Sequence, residues 1–265
     1  MDNRPIGVFD SGIGGLTVVN AIVDILPNED ILYVGDTARV PYGNKSRERI
    51  QQFSLEIAEW LISQDCKMIV IACNTASSLA LDYLEKSLPI PVIGVINPGV
   101  NNALAATKNY NIGVLGTTAT IASDAYGLQL HSSNSNIKVI SQACPLFVHL
   151  VEEGWISGNV PMNIAKKYLK PIRESKVDTV ILGCTHYPLL KEIISSAIGP
   201  RVTLIDSGEA AALIIKFEVI DNNFSASDKK GIVRCFVTDD PKSFETLVTR
   251  FIKIGIHSTQ RLEHF

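Results

Sequence analysis

Two cysteines stand at equivalent places in two similar segments, where a thiol could move a proton to or from carbon. Cys73 follows an apolar run at residues 68–72, and Cys184 follows a similar run at residues 179–183. Continuous runs rich in Val and Ile are typical of buried parallel strands, and α/β proteins bind ligands just past the carboxyl ends of such strands. Two thiols facing one cleft could remove a proton from one face of a carbon atom and return it to the other face.

Small polar residues beside both sulfurs favour a chemical role over a packing role. Asn74 and Thr75 follow the first cysteine, and Thr185 and His186 follow the second. These side chains could hold a substrate carboxylate and lower the cost of a thiolate. A free thiol with a pKa of about 8.5 needs only a modest shift to act as a base near neutral pH. His186 could also exchange a proton with the neighbouring cysteine.

The same residue types also fit a structural or a metal-binding role. A free cysteine packs well as a small buried hydrophobic residue, and a lone histidine is more often structural. Cys184 and His186 could bind zinc, although Cys-x-His lacks the paired Cys-x-x-Cys spacing of structural zinc sites. The remaining cysteines lack such a setting and are predicted to be structural: Cys66, Cys144 and Cys235.

Asp10 begins a glycine-rich turn, residues 10–15, which follows the first predicted strand. Glycines permit close backbone approach, and the helix that the turn opens offers free N–H groups to an anion. The turn lacks the spacing of the nucleotide-binding loops, so a tight strand-to-helix turn accounts for it equally well. An acid at a strand end is costly to bury without a partner or a task. Tyr42-Gly43 and Glu152 are further candidates in loops or at helix ends.

The chain reads as two similar halves of alternating strands and helices. Residues 6–12 are echoed by residues 112–118, at nearly the same offset as the two cysteines. The alternative is that βα units of one sheet resemble each other in any case. Alternating patterns predict parallel sheets covered by helices on both faces. We predict strands at 6–9, 31–34, 68–72, 92–95, 112–115, 138–140, 180–182, 202–205 and 232–237, and helices at 47–62, 163–172, 191–198 and 244–254.

These patterns predict an α/β fold of two pseudo-symmetric, Rossmann-like parallel-sheet domains with the active site between them. The second half starts near residue 97, and the helix after Ser207 is predicted to return the chain to the first half. The first domain is therefore predicted to contain residues 1–96 plus 208–265, and the second residues 97–207.

Composition excludes several classes of function. The 265 residues are 46% hydrophobic and 19% charged with a net charge of −3, so neither nucleic acid nor an anionic membrane surface is an expected partner. Five cysteines without a disulfide framework indicate a reducing compartment. The sequence shows neither the apolar segment of a signal peptide nor a run of about 18 apolar residues that could span a membrane. We therefore expect a cytoplasmic protein.

Taken in order, these motifs closely resemble the bacterial glutamate racemase family, over essentially the whole chain. Each segment alone is weak, but the ordered set is specific. The matching segments are Gly7-Val8-Phe9-Asp10-Ser11-Gly12-Ile13-Gly14-Gly15, Pro41-Tyr42-Gly43, Ala72-Cys73-Asn74-Thr75-Ala76, Gly116-Thr117-Thr118-Ala119-Thr120, Val151-Glu152-Glu153-Gly154 and Gly183-Cys184-Thr185-His186-Tyr187-Pro188.

The resemblance implies a cofactor-independent isomerase that interconverts L- and D-glutamate and supplies D-glutamate for peptidoglycan, the cell-wall polymer that maintains cell shape. It implies a homodimer with glutamate as its substrate, no metal, and Cys73 and Cys184 as the paired acid and base. Asp10, Glu152 and His186 are implied to assist proton transfer. The implied substrate-binding residues are Asp10, Ser11, Tyr42, Gly43, Asn74, Thr75, Thr185 and His186.

Two departures and two rival functions accompany this resemblance. His149 stands where the family pattern has proline, so the family's local geometry before Glu152 is not carried over. Some relatives carry an N-terminal extension linked to activation by a peptidoglycan precursor. The segment before Ile6 is short here, so we expect activity without that precursor. A racemase of a related substrate such as aspartate is one rival function. A non-catalytic amino-acid-binding protein is the other, although such a protein has no need of paired cysteines.

Overall fold

The computed structural model describes residues 1–227, 229–251 and 254–263. The described residues form ten strands: β1 (Ile6–Asp10), β2 (Ile31–Gly35), β3 (Met68–Ile71), β4 (Val92–Gly94), β5 (Asn111–Gly116), β6 (Lys138–Ala143), β7 (Thr179–Gly183), β8 (Thr203–Asp206), β9 (Val233–Val237) and β10 (Ile256–Arg261). Their helices are α1 (Leu16–Ile25), α2 (Arg47–Ser63), α3 (Asn74–Ser87), α4 (Ile96–Ala106), α5 (Thr118–Ala122), α6 (Ala125–Ser133), α7 (Leu146–Glu152), α8 (Asn159–Tyr168), α9 (Lys170–Glu174), α10 (Lys191–Ile198), α11 (Ser207–Asp221) and α12 (Pro241–Phe251).

The strands form two parallel sheets with the same internal order. The six-stranded sheet runs β10-β9-β2-β1-β3-β4, and the four-stranded sheet runs β6-β5-β7-β8. The order β2-β1-β3-β4 therefore recurs as β6-β5-β7-β8, which confirms the predicted pseudo-symmetry. In the shared register, Phe9 of β1 lies beside Ile71 of β3, and Leu115 of β5 lies beside Leu182 of β7. In each sheet the two central strands thus end side by side, and the second of them, β3 or β7, is followed by a cysteine segment.

Both sheets are covered on both faces, which explains their nearly continuous apolar strands. In the six-stranded sheet, Val8 packs into a core shared with α1 and α11, while Phe9 packs into a core shared with α2 and α3. Helix α11 follows the last strand of the smaller sheet, and Ala211 and Ile215 bring it back to the larger one. Within the described ranges, no helix combines the length and apolar character needed to cross a bilayer.

Two predicted helices differ from the structure, and one edge strand was not predicted. The helix predicted at 163–172 is two helices, because Pro171 lies in the first turn of α9 and cannot supply a backbone N–H to a continuous helix. Strand β10 was not predicted, because an edge strand reading Ile-His-Ser-Thr-Gln-Arg lacks the apolar run that marks a central strand. The helix predicted at 244–254 begins earlier, at Pro241, and residues 252 and 253 of that prediction lie outside the described residues.

Candidate active site

The crevice between the two sheets gathers most of the predicted site residues around one small cavity. Its volume of about 20 Å³ is enough for a water molecule but far below the size of an amino acid. The walls come from loops at the carboxyl ends of strands in both sheets. The lining residues are Ser11, Pro41, Tyr42, Gly43, Cys73, Asn74, Thr75, Thr117, Val148, Cys184, Thr185 and His186.

Cys73 lies between the end of β3 and the start of α3, where its sulfur acts as the helix N-cap. The Ala76 N–H donates to Sγ at 3.5 Å, and the side chain is almost fully buried. Burial raises the pKa of the Cys73 thiol well above its ordinary value, and the nearby Asp10 raises it further. The polar neighbours were expected to favour a thiolate, but in this closed site burial outweighs their effect, so the thiol keeps its proton.

Cys184 belongs to a chain of three polar groups. Its Sγ lies 3.9 Å from Nδ1 of His186, whose Nε2 lies 2.6 Å from Oε1 of Glu152. Burial alone would lower the pKa of His186, but its bonds to Cys184 and Glu152 raise that pKa well above the ordinary value. An imidazolium is therefore held beside the sulfur. In the described part of the chain, no three His, Cys, Asp or Glu side chains are grouped so that they could hold a metal ion.

Glu152 reaches His186 although the sequence before it departs from the family pattern. His149 continues helix α7, which ends at Glu152. The 2.6 Å contact between Glu152 and His186 spans the gap between that helix end and the loop after β7. Helix α7 therefore delivers the carboxylate with histidine in place of proline at position 149.

Asp10 is fully buried at the end of β1 and joins the two halves. Its Oδ2 accepts the N–H groups of Gly12 and Gly15 at 3.1 and 3.0 Å, and its Oδ1 accepts the Thr185 hydroxyl at 3.2 Å. Burial raises the pKa of Asp10, while His186 and these bonds oppose the rise. The Gly12 and Gly15 amides, which the sequence suggested for an anionic ligand, bind this carboxylate.

Gly14 is required by close packing between the halves. A Cβ atom at this position would lie 2.4 Å from Oγ1 of Thr185 and 2.6 Å from Nδ1 of His186. Contacts between heavy atoms at such distances are repulsive, so a side chain at this position would displace the loop that contains Thr185 and His186. The glycine-rich turn thus serves the approach of the second half to the first.

The Tyr42 hydroxyl donates to Asp36, an acid that sequence reasoning missed. Asp36 is fully buried and accepts bonds from the Tyr42 hydroxyl, from Nε of Arg39 at 2.7 Å and from the Thr238 hydroxyl at 2.9 Å. This network holds the loop that presents Gly43 to the cavity. The signal was present in the sequence, because Asp36 follows β2 as Asp10 ends β1.

Three threonine hydroxyls from the two halves form a closed triangle beside the cysteines. Oγ1 of Thr75 lies 2.9 Å from that of Thr117 and 3.1 Å from that of Thr120, and the last two are 3.0 Å apart. Thr117 and Thr120 were not singled out from the sequence as site residues. Their segment follows β5 as Asp10-Ser11 follows β1, so the internal repeat pointed to them.

The other three cysteines lie outside the cavity wall and are buried. Burial raises the pKa of both Cys66 and Cys235 to about 12. It also raises the pKa of Cys144. Neutral, enclosed thiols of this kind behave as small hydrophobic residues.

Two duplicated parallel sheets carry one thiol at each equivalent strand end, an arrangement that suits a racemase. The family model described as Asp/Glu/Hydantoin racemase matches residues 6–215, and the chain belongs to this family.

Individual relatives narrow the likeness to glutamate racemases. The glutamate racemase of Geobacter metallireducens is 47% identical over 256 residues, covering 95% of this chain and 94% of the relative. The structure of glutamate racemase isoform RacE1 from Bacillus anthracis matches with a TM-score of 0.96 at 40% identity, covering 99% and 98% of the two chains. The Francisella tularensis glutamate racemase, solved in complex with D-glutamate, matches with a TM-score of 0.92 at 45% identity and the same coverage.

Proposed function

We propose that this protein interconverts L- and D-glutamate, with Cys73 and Cys184 as the paired acid and base. The observation that carries the proposal is the placement of both thiols in one cavity, at equivalent strand ends of two repeated sheets. Relatives named glutamate racemase across nearly the full length support glutamate as the substrate. The product D-glutamate would serve peptidoglycan synthesis.

The two sulfurs have different surroundings, and the difference suits a reaction starting from L-glutamate. The His186 imidazolium would stabilise negative charge on the Cys184 sulfur, while Cys73 keeps its proton. In this direction Cys184 takes the α-proton, and the electron pair left on carbon takes the Cys73 proton at the opposite face. The reverse reaction exchanges these roles. Because the thiols supply both proton transfers, the proposal needs neither a cofactor nor a metal.

Donors around the cavity would stabilise the charge that develops on the substrate. Hydroxyl and backbone N–H groups that are already oriented lose little free energy to reorganisation during the reaction. We assign substrate binding to Ser11, Tyr42, Gly43, Asn74, Thr75, Thr185 and His186, with Asp10, Glu152 and His186 assisting proton transfer. Tyr42 acts in this assignment through the loop that it anchors, since its hydroxyl is bonded to Asp36.

Incubation with L-glutamate in deuterated water tests this function. The protein is first dialysed against a chelator. The circular dichroism of the glutamate should then decay to zero while deuterium enters its α-position. Parallel incubation with L-aspartate tests the sister activity. Turnover of aspartate alone would replace the proposed substrate, and glutamate binding without exchange would identify a binding protein instead.

We also propose that the protein works in the cytoplasm as a homodimer, independently of nucleic acids and membranes. The net charge of −3 and the kinship with glutamate racemases support this setting. Sedimentation velocity should give a species of twice the 28.9 kDa chain mass. A species of single-chain mass at micromolar concentration would contradict the dimer.

A further inference from the structure

The side chain of Asn74 has one end satisfied and the other end free. It is the first residue of α3, next to Cys73, and it is 2% exposed. Its Oδ1 accepts the Tyr126 hydroxyl at 2.5 Å and the Ser207 hydroxyl at 3.4 Å. Its Nδ2 has no hydrogen-bond partner among the described residues. A buried donor without a partner is costly, so this N–H points to an acceptor supplied by a ligand.

Tyr126 decides which way this amide faces. An asparagine amide can rotate by half a turn and exchange its donor and acceptor ends. In the structure the Tyr126 and Ser207 hydroxyls both donate to Asn74, which places Oδ1 against them and leaves Nδ2 for the cavity, whose wall includes Asn74. The Ser207 hydroxyl also contacts the Leu182 carbonyl at 3.3 Å, so the shorter Tyr126 bond is the dominant one.

The Tyr126 ring is itself held in a narrow place in the second half. A Cβ atom at Gly183 would lie 3.0 Å from Cε2 of the ring, and one at Gly99 would lie 3.4 Å from Cε1. Gly183 immediately precedes Cys184. The ring therefore packs against the residue that precedes one candidate thiol, while its hydroxyl bonds to the residue that follows the other.

We propose that Tyr126 is a positioning residue that orients Asn74, so that Nδ2 of Asn74 donates a hydrogen bond to a carboxylate of the substrate. The bond joins α6 of the second half to α3 of the first, so substrate binding by Asn74 depends on closure of the two halves. This inference rests on the proposed function only for the identity of the ligand. Tyr126 acts through Asn74 and does not touch the reacting atoms.

Four proteins test the inference: the unaltered chain, Tyr126→Phe, Asn74→Ala and the double variant. Tyr126→Phe removes one oxygen and keeps the buried ring. It should raise KM for glutamate and the calorimetric Kd for D-glutamate by about tenfold, the scale of one hydrogen bond to a charged group, with kcat changed less than about threefold. Tyr168→Phe removes a hydroxyl that accepts only the exposed Leu146 N–H in the described structure, and serves as the matched control.

The double variant separates positioning from a general structural role. If Tyr126 acts through Asn74, adding Tyr126→Phe to Asn74→Ala should raise Kd no further. Independent, multiplicative effects would overturn the inference, as would unchanged D-glutamate binding by Tyr126→Phe. Because calorimetry detects binding whether or not turnover follows, an unaltered protein that binds glutamate but does not racemise it refutes the proposed function alone. Failure of the unaltered protein to bind glutamate refutes both.

Discussion

The two thiols of the site have different titratable neighbours, although the sequence presents them as equivalents. Cys73 lies near the Asp10 carboxyl, and burial and that carboxyl together raise its pKa. Cys184 lies 3.9 Å from His186, whose bonds to Cys184 and Glu152 raise its pKa against the effect of burial. Racemisation by two groups requires one to start as base and the other as acid, and these neighbours provide that difference.

Replacing either reactive thiol should nearly abolish racemisation while the fold persists. Serine keeps size and hydrogen bonding but is a far weaker acid than a thiol, and general acid–base catalysis contributes about 10²–10⁴-fold to rate. We therefore expect Cys73→Ser and Cys184→Ser each to lose at least about 100-fold in kcat. Circular dichroism of the racemisation reaction measures this loss. Cys66→Ser and Cys235→Ser are the controls, and near-normal turnover by either site variant would refute the two-thiol mechanism.

Glu152 should control the alkaline limit of the reaction from L-glutamate. The raised pKa of His186 means that it loses its proton only as pH rises well above the ordinary histidine value of about 6.5. Glu152→Gln removes one cause of the rise, so the imidazolium should be lost at lower pH. The alkaline limb of kcat/KM should move to lower pH, and the rate at pH 8 should fall by about tenfold.

The stability of the protein should also decrease as pH rises through the raised pKa of His186. A raised histidine pKa contributes stability that is fully present below about pH 6.5 and is lost as pH rises through the raised value. Urea denaturation of the Glu152→Gln variant should therefore show a smaller loss of stability between these pH values than the unaltered protein.

For the kinetic prediction, an alkaline limb of kcat/KM that stays in place in the Glu152→Gln variant would show that His186 is not the titrating group.

At the scale of elements, the turns after the strands contain the candidate site residues, and the strands position these turns. The turn after β1 bonds to Asp10, packs against the loop after β7 and contributes Ser11 to the cavity. Sequence patterns identified this turn, but they assigned its amides to an anion. A tight strand-to-helix turn was the equal alternative, and the Gly12 and Gly15 amides bond to the protein's own Asp10 carboxylate.

Two neighbouring glycines should respond differently to the same substitution. Gly14→Ala places a Cβ atom 2.4 Å from Thr185 and should lower kcat/KM by at least about tenfold by displacing the loop that carries His186. Gly12→Ala is the matched control, because its nearest contacts, Glu152 and Val40, lie at an ordinary 3.5 Å. Kinetics of both variants at equal folded concentration provide the measurement. Equal activity of the two would contradict the packing argument.

At the scale of the molecule, the closed crevice requires movement of the two halves. A cavity of about 20 Å³ cannot admit glutamate, and bonds such as Asp10 to Thr185 and Thr75 to Thr117 cross between the halves. Access therefore requires these contacts to break and reform around the substrate. The division of the chain into residues 1–96 plus 208–265 and 97–207 stays a prediction.

Hydrogen exchange should detect this movement. Saturating D-glutamate should slow exchange in peptides covering residues 10–17, 72–78 and 116–122, because binding favours the closed arrangement in which their amides are sheltered. A peptide covering β9, Val233–Val237, lies in the larger sheet away from the crevice and is the internal control. Equal protection of the crevice peptides with and without ligand would contradict the opening.

The sequence by itself determined the parallel α/β architecture, the internal repeat and the location of both thiols, because apolar periodicity and strand ends are local properties. Sequence reasoning missed Asp36, although its place after β2 was a signal, and no pattern or spacing indicated Tyr126. Only the tertiary structure decided that Glu152 bonds to His186, that Asp36 takes the Tyr42 hydroxyl and that Tyr126 orients Asn74. It also decided the raised pKa values of Cys73 and His186, because pKa values depend on burial and on groups from distant parts of the chain.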